Sequence, residues 1–390
     1  MNVPYRRTLL ASYIGYITQA IVNNLAPLLF VIFQQEFQIS VGQIGFLVTY
    51  NFCVQILVDF ISARFVTKIG YKVCIVAAHI FSAVGLIGLG VLPSVLPNPY
   101  IGLLLAITVY AIGGGLIEVL VSPIVEALPL GEKSGAMSLL HSFYCWGHAL
   151  VVILSTVFFR IAGTQNWRLL TMLWALIPVL NAVLYAFSPI CVLPGDESPI
   201  SMKKLFSMKI FWLFVVLMIC SGASEQAMSQ WASYFAEKGL RVSKTFGDLL
   251  GPCVFAVLMG ISRVIYGAYS HRLPLQRFIV ISGIVCVISY LVAVFTPIPL
   301  ISLLGCGLCG LSVGIMWPGV FSLSAERCPQ CGTLMFAFLA LAGDVGCASG
   351  PTLVGSVAEL FSGELKAGLL AAILFPIILV TGIQFLRKKK

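Results

Sequence analysis

Glu118 stands inside a long apolar run, five residues ahead of Pro123, with no Lys or Arg in that run to offset it. A charge within lipid is costly unless it faces a cavity or a partner, so an ionisable group there is read as functional, and a carboxyl can take up and release a proton. His141 and His148 are seven apart, which puts them on one helix face. The runs carrying Glu118 and His148 are antiparallel around a turn near residue 132, so residue n lies level with roughly 264 minus n at equal rise. Glu118 then lies at the depth of Trp146 to His148, and Glu118 with His148 is the expected proton-coupling pair. The competing reading has His148 packed against another helix. Two further carboxylates, Glu225 and Asp344, also fall near the middle of apolar runs, where the plain alternative is a buried neutral carboxyl. Gln19, Asn23 and Asn24 lie in the first run. Amides and carboxylates exchange hydrogen bonds with hydroxyls, while Trp231 and Trp317 offer flat apolar faces. Asn23 and Asn24 are about 100° apart on a helix, so at most one of them points centrally, and helix–helix bonding is the plain alternative for both.

The elements that must position these groups are membrane spans. Hydrophobic residues make up 59% of the 390 and charged residues only 9%, against about 25% charged in soluble domains. Twelve apolar runs fall at about 8–33, 43–65, 73–92, 100–128, 135–159, 169–189, 208–236, 246–268, 277–295, 299–325, 332–358 and 367–386, each near the length a spanning helix needs. The first run follows Arg6 and Arg7 but is too long for a signal-peptide core, and it reads as an uncleaved span. The twelve cysteines are scattered through the spans as small packing residues, with no disulfide framework. Cys328 and Cys331 have the spacing of half a metal or redox site, but no second pair accompanies them, so no metal site is expected.

Basic residues set the orientation. With both ends in the cytoplasm, only Arg160, Arg168, Lys238, Arg241, Lys244 and Lys366 of the 23 Lys and Arg fall outside. The net charge of +9 is thus a topology signal and gives no support to nucleic-acid binding. The chain divides into residues 1–190, a polar linker over 191–207, and residues 208–390. The halves echo one another. Pro123, Glu126 and Gly135 in the first run in the same order as Pro318, Glu326 and Gly332 in the second, and Gly45, Asp59 and Arg64 match Gly247, Arg263 and Arg272. Repeats of this kind, related along the membrane normal, place a substrate site near the midplane between them.

The segment Asp59 to Arg64, then Lys68 to Lys72, resembles the signature loop of the major facilitator superfamily, although its spacing is stretched and its second copy carries His271 where an aspartate is usual. The resemblance covers essentially the whole chain. It implies an all-α membrane protein with twelve transmembrane helices in two pseudo-symmetric six-helix bundles, with spans one, four, seven and ten around the cavity. Within the superfamily, three runs resemble the fucose permease type of sugar:proton symporter: Gly115 to Pro123 around Glu118, Leu139 to Gly147 around His141, and Gly222 to Glu225 followed by Ser229, Trp231 and Tyr234. Such proteins often carry an acidic residue in the first span, where this chain has only Gln19, Asn23 and Asn24. The resemblance makes Glu118 the coupling group and places Gln19, Asn23, Asn24, Glu225, Trp231, Trp317 and Asp344 at the substrate. It makes Asp59, Arg64, Arg263 and Arg272 the cytoplasmic gate.

No Lys or Arg falls near the middle of any span, Arg263 being read as the cytoplasmic end of span eight. Anionic substrates need a buried cation and are therefore disfavoured. The expected protein is a secondary active transporter of a small neutral solute, a monosaccharide, working by alternating access as a plasma-membrane monomer with a proton or sodium as coupling ion. The alternative is a proton-coupled multidrug or metabolite exporter of the same superfamily, which the absence of a Gly-Pro-rich fifth span argues against. No cofactor is expected. With no nucleotide loop, metal cluster or triad, neither is an enzymatic activity.

Overall fold

Inside a bilayer no water is available to the backbone, so every span must satisfy its own N–H and C=O groups, which a helix does. The computed structural model describes the backbone of residues 3–129, 133–190, 201–269, 274–328 and 331–387, and its regular elements among these residues are all helical. Eleven helices are long and apolar enough to span a membrane, and a bent pair forms a twelfth span. That pair is α1 (Val3–Leu28) and α2 (Phe30–Phe37), which meet at an angle of 47°. Pro27, with no N–H to give to the helical ladder, lies just before the bend. The first span therefore runs on to Phe37 after turning, beyond the end near residue 33 that apolar length indicates.

The remaining helices are α3 (Val41–Ile69), α4 (Tyr71–Val95), α5 (Pro99–Glu126), α6 (Lys133–Ala162), α7 (Trp167–Ala186), α8 (Met202–Ser207) and α9 (Lys209–Ser229). Then follow α10 (Ala232–Tyr234), α11 (Lys244–Asp248), α12 (Val254–Tyr269), α13 (Leu275–Phe295), α14 (Pro299–Val313), α15 (Met316–Arg327), α16 (Gly332–Leu360), α17 (Leu365–Ala372) and α18 (Leu374–Arg387). The tenth span is α14 and α15, interrupted at Gly314 and Ile315.

By internal contacts the chain forms two units, Met1–Ile39 with Tyr50–Pro194, and Ser40–Thr49 with Gly195–Lys390. In the first, α4 lies along α5 where Gly85 meets the backbone of Tyr110 and Gly113 meets the Ala78 carbonyl and Ser82. In the second, α9 lies along α16 through Gly346 against the Ile219 carbonyl and Gly350 against Ala223. Lipid gives no hydrophobic drive for two helices to associate, so contact depends on such close-fitting small residues. The start of α3 joins the second unit, with Gly45 against Gly355 and a hydrogen bond between Thr49 and Thr352.

Polar clamps finish the ends of the helices. Trp167 Nε1 donates to Glu36 at 2.8 Å, Arg168 pairs with the same carboxylate, and Arg168 Nε donates to Ser94 Oγ at 2.9 Å. In the second unit Lys244 bonds Glu237 at 3.1 Å and Asp248 at 3.0 Å, with Ser233 donating to Asp248. Residues 191–200 of the expected linker lie outside the described residues. Its last part is helical, α8, whose N-cap Ser201 accepts from the Lys204 N–H.

Candidate functional site

In the first unit, three helices bring their polar residues to one place. Gln19 on α1 donates through Nε2 to Glu118 on α5 at 3.1 Å and to Gln55 on α3 at 3.0 Å. Gln55 in turn donates to Asn23 Oδ1 at 2.8 Å, and Asn51 donates to the same oxygen at 3.2 Å. The helices approach closely enough because α5 carries Gly113, Gly114 and Gly115 in succession. A Cβ on Gly114 would sit 3.1 Å from Gln19 Oε1, and one on Gly115 would sit 3.1 Å from Asp59 Oδ1. Gln19, Asn23, Asn51 and Gln55 are buried, whereas Glu118 is half-buried. A carboxyl among amides and apart from bulk water can exchange a proton without disturbing a framework held by other bonds.

Asn24 does not join this cluster. Its amide donates to the Ala20 carbonyl at 2.9 Å and to Tyr144 on α6 at 3.2 Å, which is helix-to-helix bonding. Nor is His148 hydrogen-bonded to Glu118. Gly147 packs on Ile17 and Ala20, so this part of α6 lies against α1, and His148 is buried with no hydrogen bond to Glu118 among the described residues. Depth along two antiparallel helices does not set which way a helix face turns.

The second unit overturns the reading that no cation reaches the middle of a span. Arg263 on α12 places Nη2 3.8 Å from Glu225 Oε2 on α9, while its Nε donates at 3.2 Å to the Gly314 carbonyl. Four residues on from Gly314 stands Pro318, which has no N–H to give that carbonyl, and the long arginine stem carries the charge inward from its Cα. Gln226 also donates to Glu225, at 3.1 Å. Arg263, itself half-buried, thus joins a polar group with Glu225 inside the second unit.

The other gate residues fare differently. Asp59 is half-buried, with its carboxylate over Gly115 inside the first unit. The Arg64 side chain and Arg272 lie outside the described residues. Trp317 on α15 is half-buried, its ring against Gly343 of α16 and edge-on to Phe321 at 6.3 Å. Asp344, the next residue on α16, is buried. Trp231 is fully buried, its indole N–H donating to the Pro351 carbonyl at 3.1 Å and its ring over Gly45 and Gly355. Trp231 is therefore packed against its helical neighbours, with its ring covered. Cys331 lies 3.8 Å from the Met208 sulfur, and no cluster able to hold a metal ion occurs among the described residues.

Asn51 and Gln55 escaped the reading of the sequence. Their signal was present: Asn51, Gln55 and Asp59 recur every fourth residue, a polar stripe along one face of an apolar run.

The family profile of the Major Facilitator Superfamily matches residues 10–383. The chain belongs to that superfamily. Solved structures of the superfamily fold align along nearly all of its length. A bacterial homologue of the human lysosomal transporter Spinster has a TM-score of 0.80 at 14% identity, covering 99% of this chain and 97% of that one. The D-xylose-proton symporter has a TM-score of 0.79 at 13% identity, covering 99% and 98%. The E. coli fucose:proton symporter FucP has a TM-score of 0.67 at 17% identity, covering 98% of both chains. Among curated proteins, the membrane protein MosC of Rhizobium meliloti is 24% identical over 165 residues, a match that spans 42% of this chain and 40% of MosC. The chain is therefore an integral membrane transporter of this superfamily, all-helical among the described residues, with eleven membrane-length helices and one bent pair.

Proposed function

We propose that the protein is a proton-coupled carrier of a small neutral polyol, a monosaccharide, across the plasma membrane by alternating access, working as a monomer with both termini in the cytoplasm. The observation that carries this reading is the half-buried Glu118 held by Gln19 within an amide cluster drawn from α1, α3 and α5. Such a cluster can replace the water around hydroxyl groups, and its one carboxyl can bind the proton. Glu118 serves as the coupling group. Gln19, Asn23, Trp317, Glu225 and Asp344 are the residues proposed to serve the substrate. Arg263 does not reverse the preference for neutral solutes, because its charge is offset by Glu225 and its Nε is engaged by Gly314. Two structural neighbours are symporters of a monosaccharide and a proton, which accords with the proposal.

Thermal-shift and binding titrations across a panel of neutral monosaccharides and their phosphates test it. Stabilisation by one or more neutral sugars and none by their phosphates is the expected result. Binding of hydrophobic cations with no response to any neutral sugar would replace the proposal with the exporter reading.

A further inference from the structure

In the amide cluster of the first unit both Gln19 hydrogens and one hydrogen each of Gln55 and Asn51 are engaged within the cluster, while two of its oxygens are left over. Both hydrogens of Gln19 Nε2 are engaged, by Gln55 Oε1 and by Glu118 Oε2. Gln55 Nε2 and Asn51 Nδ2 both donate to Asn23 Oδ1. By contrast, Gln19 Oε1 and Asn51 Oδ1 are buried, on residues only 2% and 6% exposed, and receive no N–H or O–H from the described residues. The orientations follow from the network. Turning the Gln19 amide over would set its oxygen against Gln55 Oε1 and the Glu118 carboxylate, two acceptors in place of two satisfied contacts. Gln19 Oε1 lies over Gly114, where a side chain would close the space in front of it.

A buried carbonyl without a donor costs more than a hydrogen bond gains, so two on adjacent helices call for donors brought by a ligand. We infer that Asn51 and Gln55 on α3 are specificity-determining residues, which with Gln19 form a site that admits a substrate by the hydroxyl hydrogens it donates to Gln19 Oε1 and Asn51 Oδ1. Gln55 is the positioning residue, since it fixes Gln19 and Asn23 through its own bonds. Asn51 and Gln19 receive the ligand's hydroxyls. Glu118 stays bonded to Gln19 and is left to carry the proton, which separates recognition from coupling.

The inference rests on the polyol reading, and fluorine substitution tests it separately. A C–F group resembles a hydroxyl in size and accepts weakly, but it cannot donate. The reconstituted full-length protein is titrated with a neutral monosaccharide that it binds and with the set of analogues bearing fluorine in place of one hydroxyl at a time. Wild type is expected to bind at least one analogue about tenfold or more weakly than the parent sugar, as loss of a donor to a buried acceptor requires. Asn51→Ala should bring parent and analogue to within about threefold. Retained binding of the parent sugar by Asn51→Ala shows that its effect is not loss of folding. An unchanged ratio in Asn51→Ala, or tolerance of fluorine at every position in wild type, overturns the inference while leaving sugar binding intact. Failure of every parent monosaccharide to bind overturns the transport reading, and this inference falls with it.

Discussion

Glu225 and Arg263 are best understood as a pair. A partly buried charge deprived of its partner is left uncompensated, whereas removing both charges together removes the problem with the interaction. The 3.8 Å separation is a loose ion pair, closed on one side by Gln226 and on the other by the Gly314 carbonyl. Glu225→Ala alone should therefore lower stability by about 1–3 kcal/mol, and adding Arg263→Ala should cost less than the sum of the two single changes. Thermal unfolding in detergent, arranged as a double-mutant cycle, measures this, and strict additivity would mean that the charges do not interact. Trp317 differs because its ring is half-buried and has area to offer. Trp317→Ala should weaken sugar binding by about 1–2 kcal/mol in a titration while leaving stability nearly unchanged. Glu118 was legible in the sequence because a carboxylate in an apolar run stands out. Asn51 and Gln55 were not found because uncharged amides barely interrupt such a run. The reach of Arg263 was hidden for another reason: the depth of a Cα does not say where a long side chain ends.

At the level of helices, small residues determine which faces meet. Gly346 on α16 lies against the Ile219 carbonyl of α9, a backbone group that cannot swing aside. Gly346→Leu should therefore force the helices apart and destabilise the protein by about 1–3 kcal/mol, seen as a lowered melting temperature. Gly114 faces side chains instead, those of Val22, Gln19 and Gln55. Gly114→Val should leave the protein folded but displace the Gln19 amide, so that substrate binding falls while stability falls little. Span lengths were readable from the sequence because bilayer thickness fixes them. The turn of each helix about its axis was not, and the expected meeting of His148 with Glu118 was lost for that reason. The 47° bend after Leu28 was not read either. Pro27 marks a weakened ladder without saying whether the chain stops or continues in a new direction.

For the molecule as a whole, composition and twelve apolar runs were enough to identify an integral membrane transporter, because a chain with 9% charged residues has few alternatives to lipid as its solvent. The uneven distribution of Lys and Arg carries the proposed orientation. A tag inserted in the turn at Pro97 to Pro99 should be reached by antibody on intact cells, and one inserted beside Lys203 only after permeabilisation. The reverse labelling would invert the topology. The central claim is that Glu118 couples proton entry to movement of a neutral solute, and transport into proteoliposomes under an imposed proton gradient tests it most directly. The wild-type protein should concentrate a labelled neutral monosaccharide only while the gradient lasts, whereas Glu118→Gln should still exchange the sugar in counterflow but bring it no further than equilibrium. Accumulation by Glu118→Gln against a concentration gradient, or wild-type accumulation indifferent to the proton gradient, would contradict the account.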